Sequence, residues 1–88
     1  MTTTTKQIEF YDEELSRTIR QIQEMLENDA SNPRLDQLFT TGAAYLQQIT
    51  ILSKQIKSSE SKQQWKEIIT FRKTTFNHLQ QSVHTVEF

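Results

Sequence analysis

Apolar residues recur along this chain in three rows, each stepping alternately by three and four positions. The first row is Ile8, Tyr11, Leu15, Ile19, Ile22 and Leu26. The second is Leu35, Leu38, Gly42, Tyr45, Ile49, Leu52 and Ile56. The third is Trp65, Ile69, Arg72, Phe76, Leu79, Val83 and Val86. Steps of three and four hold one narrow stripe on one side of a helix. The polar stretches Asn28-Asp29-Ala30-Ser31-Asn32 and Lys57-Ser58-Ser59-Glu60-Ser61 separate the rows. The pattern predicts an all-α fold with helices near 6–28, 33–57 and 62–86. Connections this short force neighbouring helices to run antiparallel, giving an up-down-up three-helix bundle.

Local signals set the expected boundaries. Residues 1–5 read as a disordered polar tail and 6–88 as a single bundle domain. Thr4 or Thr5 would cap the first helix, with Glu9, Asp12, Glu13 and Glu14 near its positive end. Ser31 or Asn32 would cap the second, with Pro33 in its first turn, where a missing N–H costs nothing. Lys54 and Lys57 would complement that helix's negative end. Ser61 and Gln64 have capping-box spacing for the third. The expected core is Leu15, Ile22, Leu38, Ile49, Ile69, Phe76 and Leu79.

Composition narrows the function more than it defines it. The chain has 88 residues, is 34% hydrophobic, and holds one glycine, one proline and no cysteine. That supports one domain with a thin seam between helices. It excludes disulfides and thiolate metal sites. No apolar stretch reaches the roughly 18 residues of a membrane span, and the threonine-rich start lacks the apolar core of a secretory signal. A net charge of -1 argues against nucleic acid as a partner.

The charge is unevenly divided. Residues 1–36 carry four basic and eight acidic side chains, net -4; residues 37–88 carry six and three, net +3. Lys54, Lys57, Lys62 and Lys66 form a basic tip around the second turn, beside the acidic start of the first helix. Two readings stay open: internal charge complementarity, or a tip that meets anionic lipid or an acidic partner.

Several residues break the seams. Gly42 sits in the second row, either as a hinge or to let a bulky neighbour approach; Ala43 and Ala44 extend the small patch. Arg72 sits in the third row, where a buried lone guanidinium is too costly. Its stem is expected over the seam, with its head reaching solvent or a carboxylate, or its face completed by another protein. Phe10, Phe39, Leu46, Ile51, Ile68 and Phe71 lie off the seams, more than a three-helix bundle easily buries. Phe10, Phe39, Leu46, Ile68, Phe71 and Arg72 are therefore the candidate partner-binding residues.

Catalytic chemistry finds no foothold. His78 and His84 are six apart and share no helical face. No histidine–acid–nucleophile constellation and no glycine-rich phosphate loop occur. No catalytic, metal or cofactor site is expected.

Three stretches resemble the N-terminal three-helix domain of Qb SNAREs, nearest the Vti-type and membrin-type members. They are Phe10-Tyr11-Asp12-Glu13-Glu14-Leu15, a proline-marked second helix ending Ile51-Leu52-Ser53-Lys54, and Lys62-Gln63-Gln64-Trp65-Lys66 running on through Phe76, Leu79 and Gln80. The resemblance implies a regulatory, non-catalytic module of a vesicle-fusion protein. It also implies a location in the cytoplasm, on the cytosolic face of an endomembrane, with a SNARE motif and anchor following residue 88. The alternative is a small complete subunit or chaperone of a larger helical assembly, such as a secretion-system complex. Either reading expects a protein partner, or a second copy of the chain, on the helix faces. The basic tip adds an expected weak contact with anionic membrane.

Overall fold

The computed structural model describes residues 2–86, with side chains described over 4–82. Within these residues the chain is entirely helical and contains no strand: α1 (Thr2–Asn28), α2 (Arg34–Ser53) and α3 (Ser59–Val86). At 1.5 Å per residue α1 and α3 each span about 40 Å and α2 about 30 Å. The whole molecule measures 47 × 18 × 16 Å, so the three helices lie lengthwise beside one another. Its radius of gyration, 14.3 Å, exceeds the roughly 12 Å of a compact globule of this length. The α1–α2 interface is the largest and the α1–α3 interface the smallest.

Within each row, the residues seven apart are the buried ones. They are Ile8, Leu15 and Ile22 on α1, Leu35, Gly42 and Ile49 on α2, and Ile69 and Phe76 on α3. Ile19 and Leu52 join them. The alternate positions Tyr11, Leu26, Leu38, Tyr45, Trp65 and Leu79 are half-buried and pack against that core. Leu38 and Leu79 are thus less enclosed than expected, because a thin rod has one axis to shield and its flanking positions stay at the rim. Val83 and Val86 lie outside the described side chains. Thr18, outside the rows, is buried at 6% exposure; its hydroxyl donates to the Glu14 carbonyl at 2.9 Å, which removes the penalty of burying it. Thr40, Thr50, Thr70 and Thr74 bond back in the same way, which is how a threonine-rich chain satisfies its hydroxyls in helices.

Helix ends correct several expected boundaries. α1 begins at Thr2, so Thr4 and Thr5 are helical rather than capping. Ile8 is fully buried, and its N–H needs the carbonyl four residues back, which draws the helix through Thr4. Glu9, Asp12, Glu13 and Glu14 therefore sit beyond the first turn. At the α1–α2 turn, the Asp29 carboxylate accepts from the Ser31 hydroxyl and the Asn32 amide at 3.3 and 3.1 Å. The Asn32 side-chain oxygen then accepts from the Arg34 N–H at 2.9 Å. Asn32 is the residue that serves the start of α2.

The other end of α2 closes early. The N–H groups of Lys54, Gln55 and Ile56 bond to carbonyls three residues back, and the Ser53 hydroxyl takes the Thr50 carbonyl at 2.7 Å. The tightened turn stops the helix at Ser53 and returns Ile56 to the core. Lys54 is consequently the cap, and Lys57 lies in the connection, not in the last helical turn. α3 starts at Ser59, ahead of the expected Ser61–Gln64 box. Ser58 accepts at its carbonyl from the Lys62 N–H at 2.9 Å and at its hydroxyl from the Ser61 N–H at 3.4 Å.

Gly42 is there for space. Its φ is not positive, and α2 runs through it unbroken, so it is no hinge. A Cβ at this position would meet Phe76 Cε1 at 2.6 Å. The ring of Phe76 lies in the notch the glycine leaves and meets Phe39 edge-on, centroids 5.5 Å apart.

Candidate functional site

The expected partner-binding residues divide into two groups. Phe39 and Leu46 are half-buried and pack against the core, so they are not surplus. A globular helix needs a stripe wider than one seam, and these two residues widen α2's. Phe10 and Phe71 are exposed, at 56% and 65%. Ile68 and Phe71 share a shallow depression on α3 with Gln64, Glu67 and Arg72. Residues 64, 67, 68 and 71 recur at three- and four-residue steps, so they occupy one face of α3.

Arg72 has found its carboxylate. Its Nε and an Nη donate to the two oxygens of Asp12 at 2.9 and 3.1 Å. The side chains are only 24% and 18% exposed. This paired, two-pronged geometry is the strong form of a charge-assisted bond. It ties α3 to α1 across the smallest of the three helix interfaces. The guanidinium is thus committed within the chain, and Arg72 lies at the rim of the Ile68–Phe71 depression. The other ion pair among the described residues, Arg17–Glu14, is local to α1 and exposed. The Arg72–Asp12 pairing joins residues sixty positions apart, and no sequence spacing announces it.

The basic tip also rearranges. Lys54, Lys62 and Lys66 line one cleft of about 600 Å³ between the end of α2 and the first half of α3. Lys57 is exposed but outside it, and Lys73 takes its place. No carboxylate lines this cleft. Among the described residues none of these lysines forms an ion pair with Glu9, Asp12 or Glu13, so the expected complementarity is not made by contact. Lys73 went unnoticed in the sequence because it is eleven positions from Lys62; three turns of helix bring it onto the same face.

Among the described residues, no three His, Asp or Glu side chains converge as a metal site, and no helix is long and apolar enough to cross a membrane. No family model, curated protein or solved structure matches this chain.

Proposed function

We propose that the chain is a non-catalytic helical interaction module, an antiparallel up-down-up bundle that presents α3 to a protein partner. The antiparallel course is supported by which side chains meet. Tyr11 in the first half of α1 contacts Tyr45 just past the middle of α2, and Phe39 early in α2 contacts Phe76 in the second half of α3. The observation that carries the function is the Ile68–Phe71 depression: an exposed aromatic beside a branched aliphatic, with a fixed arginine at its edge. Burying each apolar side chain against a partner contributes about 1.5–3 kcal/mol, and aromatics beside arginine are frequent anchors of interfaces.

The resemblance to the N-terminal domains of Qb SNAREs gives this module its most specific reading, a regulatory domain in vesicle transport acting at the cytosolic face of a membrane. A subunit of a larger helical assembly is the second reading. It is favoured by α3's short list of buried residues, which leaves a helix for a partner to complete. The test is a full-length variant carrying Ile68→Glu and Phe71→Glu, compared with wild type by sedimentation and by capture of partners from native lysate. Unchanged helicity with loss of self-association or of a specific partner supports the proposal. A variant that keeps every wild-type interaction overturns it.

A further inference from the structure

We propose that the cleft between α2 and α3 binds a multiply phosphorylated anion, of the class formed by inositol polyphosphates and the headgroups of phosphorylated inositol lipids. Its volume, about 600 Å³, is that of a small-molecule site. Lys54 approaches from the cap of α2. Lys62, Lys66 and Lys73 approach from one face of α3, at steps of four and seven. All four ammonium groups are exposed, and among the described residues none makes an ion pair or a side-chain hydrogen bond.

The lining selects for an acceptor. The hydroxyls of Thr50, Ser53 and Thr70 already donate to backbone carbonyls and the Gln63 amide donates to the Glu67 carboxylate at 3.4 Å, so the wholly uncommitted donors of the lining are the four ammonium groups and the Ser59 hydroxyl. Ser59 is the first residue of α3, where the helix dipole adds positive potential. Ile69, 9% exposed, lies beneath and lowers the local dielectric, which strengthens the attraction.

A single exposed lysine contributes little to anion binding and is screened by salt. A ligand gains here only by engaging several ammonium groups at once, which a monoanion cannot do. Lysine binds phosphate as a point charge and donates to its oxygens in several directions. Nucleic acid fits poorly, because the first 36 residues carry net -4 and no long basic track exists. The site is independent of the Ile68–Phe71 face, whose residues lie on the other side of α3.

The test titrates the full chain by calorimetry with inositol hexakisphosphate, inorganic phosphate and polyglutamate. It also sediments the chain with phosphatidylcholine vesicles lacking or containing phosphatidylinositol bisphosphate. A variant with Lys66→Glu and Lys73→Glu is compared with a charge-matched control, Lys6→Glu with Lys57→Glu, whose lysines lie outside the cleft. Circular dichroism checks that both fold; Lys66→Gln with Lys73→Gln replaces the first pair if the reversal unfolds the chain. The expected result is binding of the hexakisphosphate, of the bisphosphate vesicles or of both, which separates a soluble from a lipid source. Affinity should fall about tenfold or more in the cleft variant, through loss of charge-assisted contacts, and stay within about twofold in the control. No phosphate binding, equal loss in both variants, or cleft-dependent binding of polyglutamate alone would each overturn the proposal, the last assigning the cleft to an acidic protein.

Discussion

From Ile8 to Ile22, α1 buries five side chains, Ile8, Leu15, Thr18, Ile19 and Ile22, and from Leu35 to Leu52 the shorter α2 buries Leu35, Gly42, Ile49 and Leu52. α3 is as long as α1, yet among its described side chains it buries Ile69 and Phe76 alone. Among the described residues its hold on the molecule also includes the half-buried rim of Trp65 and Leu79 and the Arg72–Asp12 pair. The difference teaches where recognition can reside. A helix held at a few points keeps two of its faces free, one apolar and one basic, and elements with few buried contacts open at the lowest cost. The α1–α2 pair supplies the scaffold, and α3 carries the proposed protein face and three of the four lysines of the proposed anion cleft.

The comparison can be broken at α3's few anchors. Phe76→Ala should be the most damaging substitution, costing about 3–5 kcal/mol, a large fraction of a small domain's stability. Urea denaturation measures it, and a variant that unfolds with the wild-type midpoint would mean that α3 does not depend on the Gly42 notch. Asp12→Ala should cost about 1–3 kcal/mol, because it strands a part-buried guanidinium. A double-mutant cycle with Arg72→Ala should recover a coupling of that order, whereas Arg17→Ala should change stability by less than about 0.5 kcal/mol.

Smaller effects sharpen the picture. Gly42→Ala improves helix propensity by about 1 kcal/mol, but the new Cβ meets a buried ring at 2.6 Å, and overpacking costs about 1–3 kcal/mol. A net loss is expected, relieved when Phe76→Leu is added; a more stable Gly42→Ala protein would contradict the tight notch. Phe71→Glu alone should shift stability least, by roughly 0.5 kcal/mol or less, since Phe71 is mostly solvated. A large destabilisation there would make that face part of the fold and not a binding surface.

How far the sequence could be read depends on the residue. The three helices were legible because apolar periodicity is a local property, whereas Gly42 left hinge and packing notch both open, and the Phe76 ring against it decides for the notch. The helix ends were harder. Ser53 and Ser58 decided them through hydroxyl and three-residue backbone bonds, which compete with cap signals of similar strength. Phe39 and Phe71 could not be told apart, since both flank a seam. Which flank a neighbour covers depends on how the helices are rotated against one another. The Arg72–Asp12 pair and Lys73's place in the cleft likewise arise from packing, not from spacing along the chain.

Native-state hydrogen exchange along the backbone tests the asymmetry between the α1–α2 pair and α3 most directly. Amides around Leu15, Ile22 and Ile49 should exchange only through global unfolding, while those in the first turns of α3, from Ser59 to Ile68, should open at a free energy lower by about 1–3 kcal/mol. Equal protection across all three helices would contradict the division into a scaffold and a lightly held recognition helix.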